Sequence, residues 1–436
     1  MGLFGTDGVR GVAGEFLTAE LATALGAAAT SISPGDAPQV LIVRDTRESG
    51  EMLEAALAAG VSSAGGHALL GGVLPTPGAA LLVRRYGLDL AAVVSASHNP
   101  YRDNGIKFFG PDGTKVADAQ EDEIERLVHE HRSSPAIGRV RDLHGAEADY
   151  VRELEGRFGE LDLSGRRILL DCANGATYQA APEIFRRLGA DLELVAIEPD
   201  GRNINEGTGS THVGNLSERM SSGDFDVAFA FDGDGDRVLA VDRAGAVVDG
   251  DELMALAALH LRERGRLPGD GVAVTVMTNY GFHKAMELAG IEVATTQVGD
   301  RHVLAELLSR GWAFGGEQSG HIIDTGFVPA GDGTAAALLT LEALGDGDLT
   351  ERHAMEKLPQ KLVNVRVRDR DALDHAADVR EAIDREHGAL EGRGRVLVRP
   401  SGTEPLIRVM VEAPTADECD EVCDRLVSLV ERRLGS

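Results

Sequence analysis

The chain is short of several things, and each shortage narrows what it does. Three cysteines (Cys172, Cys419 and Cys423) in 436 residues form an odd set without paired metal-ligand spacing. That speaks against a disulfide framework and for buried thiols in a reducing compartment. Aromatic residues make up 4%, with a single tryptophan, so the core must rest on Leu, Val, Ile and Ala. Lysine occurs only at positions 107, 115, 284, 357 and 361. No apolar run reaches the ~18 residues that a membrane helix needs. The first residues lack the charged start and long apolar stretch of a secretory leader, so the expected location is cytoplasmic. Positive charge is the largest deficit: 43 Lys and Arg against 71 Asp and Glu give a net charge of -28. Such a surface repels nucleic acid and anionic membrane, so neither is an expected partner. It also repels an anionic substrate, which must then find its positive charge locally.

What is present is an α/β rhythm. Short apolar runs read as strands at 40–43, 91–94, 167–170, 227–231, 272–276 and 396–398. Longer amphipathic stretches read as helices at 17–30, 52–64, 119–131, 178–188, 251–264, 333–344 and 415–434. The length allows three or four domains. The rhythm restarts near residues 150, 250 and 360, which divides the chain into 1–145, 146–247, 248–358 and 359–436. The expected fold is α/β: three similar α/β units and a smaller C-terminal α+β unit. No sequence repeat demonstrates the likeness of the first three; it rests on the rhythm alone.

Four stretches carry chemistry. Phe231-Asp232-Gly233-Asp234-Gly235-Asp236-Arg237 follows an apolar strand. Alternate residues of an extended chain project to one side, so the three carboxylates can converge on a hard cation such as Mg²⁺. An EF-hand loop needs Gly at its sixth position and Glu at its twelfth; Arg237 and Arg243 stand there instead. Ser95-Ala96-Ser97-His98-Asn99-Pro100 also follows an apolar strand, and leads to Lys107 on the return strand. A serine nucleophile needs a base, a metal or a positive field, and Ser, His, Asn and Pro equally suit an ordinary turn. A lone Lys on a strand is more often a solvated edge residue. Gly315-Gly316-Glu317-Gln318-Ser319-Gly320-His321 mixes groups that suit sugar hydroxyls, or is simply a polar loop. Arg399-Pro400-Ser401-Gly402-Thr403-Glu404-Pro405, with Arg408 beyond it, offers hydroxyls, loop amides and two guanidinium groups as an anion cradle.

Together with the Gly-rich start Phe4 to Gly11, which carries Arg10, these stretches resemble the α-D-phosphohexomutase superfamily in order, from Gly5 to Arg408. The resemblance implies four domains around a central cleft, each giving one loop. It implies a phosphoserine at Ser97, and Mg²⁺ bound by Asp232, Asp234 and Asp236 with that phosphate. By the same likeness Glu317 and Ser319 grip sugar hydroxyls. Arg399, Ser401, Gly402, Thr403 and Arg408 hold the phosphate that is not being transferred. Arg237 neutralises charge on the moving group, and Arg10, Lys107 and His321 stabilise charge or move protons. Within the superfamily the wording around Arg10, Gln318, residues 298–301 and the Arg399 loop is similar to the bacterial branch acting on glucosamine phosphates, which supplies amino-sugar precursors of the cell wall. His302 departs from it, where an aromatic residue is expected. The implied activity is intramolecular phosphotransfer between glucosamine 6-phosphate and glucosamine 1-phosphate, through a hexose 1,6-bisphosphate that also serves as activator. The alternatives are a mannose- or glucose-phosphate mutase of the same superfamily and a metal-dependent sugar phosphatase. The partner is a small sugar phosphate; a homodimer follows by analogy only.

Overall fold

The computed structural model describes residues 2–5, 7–130, 136–401 and 405–435, with residues 370, 371 and 374 described by their backbone alone. The chain forms two compact units, Met1–Met277 with Ile291–Arg352, and Thr278–Gly290 with His353–Ser436. The first unit holds three sheets, and the same strand order recurs in each. In the first, His67–Val73, Gln39–Arg44 and Leu90–Val94 run parallel, and Asp103–Phe109 returns antiparallel. In the second, Asp191–Val195, Arg167–Asp171 and Val227–Phe231 are parallel and Val238–Asp242 returns. In the third, Glu292–Thr296, Gly271–Thr275 and Phe314–Gly316 are parallel and Ile322–Asp324 returns. The likeness absent from the sequence is therefore present in the topology. Each functional stretch is the turn between the third and fourth strands of that set. Ligand sites of α/β sheets lie at the carboxyl ends of strands, where these turns are.

The second unit is smaller. Gln360–Arg366, Leu406–Glu412 and Arg395–Pro400 make an antiparallel sheet, with Arg408 on the second of these strands and Arg399 near the end of the third. The helix Tyr280–Leu288 belongs to this unit, although its neighbours in sequence build the third sheet. Tyr280 N donates to Glu412 Oε2 at 2.9 Å, and Asn279 Nδ2 to Leu358 O at 3.0 Å. The fold class read from the sequence stands: three α/β sheets and a smaller α+β unit.

Strand reading was close because buried parallel strands are continuous apolar runs; Val227–Phe231 and Leu90–Val94 are buried throughout. Helix starts moved where a cap decides. The stretch from residue 17 begins at Ala19, because the Thr18 hydroxyl accepts from Leu21 N at 3.3 Å. Gly333–Leu344 begins as expected, with Asp332 accepting from Ala335 N. Lys107 is not the solvated edge residue that lone strand lysines usually are. Its strand lies between Val9–Val12 and Leu90–Val94, and the residue is 2% exposed. No helix among the described residues is long and apolar enough to cross a membrane.

Candidate active site

The first two turns meet. Ser97 Oγ donates to Asp232 Oδ2 at 2.5 Å, and both residues are buried. The Asp232, Asp234 and Asp236 carboxylates each offer an oxygen within 4.8 Å of the others. Glycine makes this compact loop feasible: Gly235 takes φ 74°, and a Cβ on Gly233 would lie 2.5 Å from Ser97 O. Lys107 crosses from the first sheet to donate to Asp234 Oδ2 at 2.7 Å, with Asp7 at 3.4 Å and Asp236 at 4.0 Å. Thr76 donates its hydroxyl to Asp234 Oδ2 at 2.7 Å. Arg237 donates its backbone amide to Asp232 Oδ1 at 3.1 Å and sets its Nε 3.6 Å from Asp236 Oδ1.

The third turn reaches the same place. His321 sets Nδ1 3.6 Å from Asp236 Oδ2 and Nε2 3.8 Å from Asp300 Oδ2. Glu317 accepts from Gly299 N at 3.0 Å, and Ser319 is exposed at the tip of the turn. Around this core runs a chain of alternating charge in which Arg10 and Lys115 both pair with Asp7, and Lys115 also pairs with Asp300 at 2.6 Å. A cavity of about 600 Å³ opens beside it, walled in part by Lys115, Asp236, Asp300 and His321. A second cavity, about 960 Å³, is lined by Glu54, Glu147 and Arg186 among others, and none of the expected site residues lines it.

The charges are held far from their ordinary balance. Burial, then repulsion from Asp236 and Asp234, pushes Asp232 well up. Burial also works against ionised Asp236, but His321, Lys107 and Arg237 outweigh it and hold that carboxyl down. Burial disfavours the His321 imidazolium, yet Asp236, then Asp300 and Glu317, raise it on balance. Burial, then Arg237 and Arg10, pulls His98 down. Among the described residues Asp234 Oδ1, Asp236 Oδ1, Arg10 Nε and Arg237 Nε are buried without a hydrogen-bond partner. Two orphaned carboxylate oxygens inside an all-oxygen cluster fit a hard divalent cation, and the orphaned cationic nitrogens fit an anionic group beside it.

The remaining expected residues lie in the second unit. Arg399 and Arg408 face each other across the antiparallel ladder. Like charges directly opposite are unfavourable unless an anion joins them, and burial, then Arg408, lowers the Arg399 guanidinium. Ser401 is buried next to them, its amide bonded to Leu406 O at 2.8 Å. Gly402 and Thr403 lie outside the described residues. Sequence reasoning missed Thr76 and Lys115. Asp7 and Asp300 stood inside quoted stretches without a role. Lys115 carried one signal, being one of only two lysines in the first 280 residues.

These turns with their carboxylate cluster define a phosphohexomutase, and the comparisons agree. Models of phosphoglucomutase/phosphomannomutase domains match the whole course of the chain: α/β/α domain I at residues 1–134, domain II at 148–245, domain III at 249–362 and the C-terminal domain at 362–429. The chain belongs to the phosphoglucomutase/phosphomannomutase family. It is 48% identical to the phosphoglucosamine mutase of Heliobacterium modesticaldum, over 99% of each chain. It is 51% identical to the phosphoglucosamine mutase of Rubrobacter xylanophilus, over 99% of this chain and 98% of that one. Among solved structures, a phosphoglucomutase/phosphomannomutase family protein of Burkholderia thailandensis shares the fold with a TM-score of 0.82 at 24% identity, covering 97% of this chain and 96% of that one. The N-acetylphosphoglucosamine mutase of Aspergillus fumigatus, solved with GlcNAc-6P and magnesium, shares it with a TM-score of 0.70 at 19% identity, over 98% and 95%.

Proposed function

We propose that this phosphohexomutase interconverts glucosamine 6-phosphate and glucosamine 1-phosphate, with Ser97 as the phosphoryl carrier. The observation that carries the reading is the 2.5 Å contact between Ser97 Oγ and Asp232 in a cluster of three buried carboxylates. Relatives at about half identity bear the name phosphoglucosamine mutase, which supports the amino sugar. When bound, Mg²⁺ on Asp232, Asp234, Asp236 and the Ser97 phosphoryl supplies charge neutralisation at the transferring group. Phosphorylated Ser97 gives its phosphoryl to the free sugar hydroxyl: the Oγ–P bond breaks, the sugar O–P bond forms and the hydroxyl proton leaves. The resulting hexose 1,6-bisphosphate reverses its ends, and Ser97 Oγ takes the other phosphoryl back. Arg237 lies against Asp236 and faces the moving charge. Lys107, His321 and Arg10 flank the cluster and stabilise charge or exchange the proton. Glu317 and Ser319 bind sugar hydroxyls. Arg399, Ser401, Gly402, Thr403 and Arg408 hold the idle phosphate, and must accept either end of the sugar.

The four domains of this reading are 1–145, 146–247, 248–358 and 359–436. Its setting is the cytoplasm, with a free sugar phosphate as partner, no nucleic acid or membrane, and a homodimer by analogy with the family. The test incubates the protein with Mg²⁺, a trace of hexose 1,6-bisphosphate and glucosamine 6-phosphate, beside Ser97→Ala. Glucosamine 1-phosphate formation that vanishes in the variant is expected. Inorganic phosphate without isomer would make it a phosphatase, and turnover confined to mannose or glucose phosphate would remove the amino-sugar assignment.

A further inference from the structure

The serine turn is held by residues that lie in none of the four chemical stretches. Arg47 is 1% exposed, and all five of its side-chain N–H groups are used. Its Nε donates to Asp45 Oδ2 at 2.8 Å. Its Nη2 donates to Ser97 O at 2.9 Å and Asn99 O at 2.8 Å. Its Nη1 donates to Asp103 O at 2.9 Å and also to Pro100 O. Asn205, on the loop after the second unit-one sheet has begun, donates its Nδ2 to the same two carbonyls, Ser97 O at 2.9 Å and Asn99 O at 3.1 Å. Each carbonyl therefore has both lone pairs engaged, one by each residue. The same Asp45 oxygen accepts from the Ser95 hydroxyl, which in turn accepts from Ser97 N at 3.0 Å.

This grip has a conformational object. Ser97 sits at φ 51°, a left-handed backbone that non-glycine residues seldom adopt, and Asn205 sits at φ 58°. Such a geometry persists only where its surroundings over-determine it. Here the surroundings are two buried donors from different sheets, and the outcome is a serine hydroxyl aimed at Asp232.

We propose that Arg47 and Asn205 are positioning residues for phosphoryl transfer, which fix the carbonyl of Ser97 and so the direction of its Oγ. The proposal rests on the reading of Ser97 as phosphoryl carrier. Their effect is on aim, not on substrate affinity, because neither belongs to the loops proposed to hold the sugar.

Asn205→Gly removes both donations and leaves a residue for which positive φ is free. Asn205→Asp keeps the size and presents an acceptor to two carbonyls. A misplacement of about 1 Å costs on the order of a hundred-fold in rate. The expected kcat is thus about 10- to 100-fold lower in Asn205→Gly and lower still in Asn205→Asp, with KM within about two-fold of wild type. Single-turnover transfer from phosphorylated Ser97 should slow by the same factor, and more inorganic phosphate should escape per sugar isomerised. Arg47→Lys, with three donors in place of five, should show the same split. A kcat within about two-fold of wild type in all three variants overturns the proposal. So does a loss confined to KM, or one matched by an equal loss of folded protein in circular dichroism. Wild-type turnover of a hexose phosphate is the control. Its absence removes the carrier reading and the clamp together, whereas its presence with unaltered variants removes the clamp alone.

Discussion

The serine turn and the aspartate turn leave their sheets at equivalent places and touch at Ser97 and Asp232, yet they are held by different means. The aspartate turn is shaped in part by its own bonds, beside those that Thr76 N and Ala176 N donate to Asp234 O and Gly233 O, each at 2.8 Å. Gly235 N bonds Asp232 O at 3.2 Å, Arg237 N caps the Asp232 carboxylate, and glycines supply the tight backbone. The serine turn is shaped from outside, by Asp45, Arg47 and Asn205. A turn that must assemble a cation site needs its ligands close together in sequence. A turn that must present one hydroxyl needs only its backbone fixed, and any buried donor nearby in space serves.

Substitutions test that contrast at different strengths. The largest expected effect is chemical: Ser97→Ala should lower mutase activity by more than about a thousand-fold with the fold intact, read by coupled assay and circular dichroism. Next is the external support. Arg47→Met removes five buried donations, two of them to Ser97 O and Asn99 O, which keep Asn205, and should destabilise the protein by about 3–5 kcal/mol in urea unfolding. A loss under about 1 kcal/mol would mean the serine turn holds itself.

One of the outside props of the aspartate turn depends on pH. Gly333 N donates to Gly235 O at 3.0 Å, and the helix it begins is capped by Asp332. Burial raises Asp332 from its ordinary 3.8 to about 6, against the bonds from Ala335 N and Tyr150. A raised carboxyl contributes stability that is fully present below the unfolded value and is lost as pH climbs through the folded one. Relative to Asp332→Asn, the wild type should therefore lose about 3 kcal/mol between about pH 2 and pH 7. A pH-independent difference between the two urea curves would remove this link. Smallest is Gly233→Ala, at about 2 kcal/mol, because its Cβ would press on Ser97 O and Asn205 Nδ2 at 2.5 and 2.8 Å. If Gly233→Ala costs stability without slowing turnover, the two turns are mechanically independent.

The contrast also explains what the sequence disclosed. The cluster of Asp232, Asp234 and Asp236 was legible because three carboxylates alternate within five residues after an apolar strand. The strands were legible for the same local reason. Ser97 needed the family likeness, since its own stretch reads equally as a turn. Arg47 and Asn205 could not be read, because their meaning lies in carbonyls 50 and 108 residues away from them. Lys107 was ambiguous until the sheet order placed it inside rather than at an edge. The kinship of the three sheets, invisible residue by residue, lies in strand order alone.

On the proposed reading of Ser97 as carrier, the saturated guanidinium of Arg47 bears on which body moves. A carrier bolted down in this way would work as a fixed nozzle rather than a swinging arm. Handing a group to one end of a sugar and collecting it from the other then obliges the sugar to turn around, while the serine keeps a single address throughout the cycle.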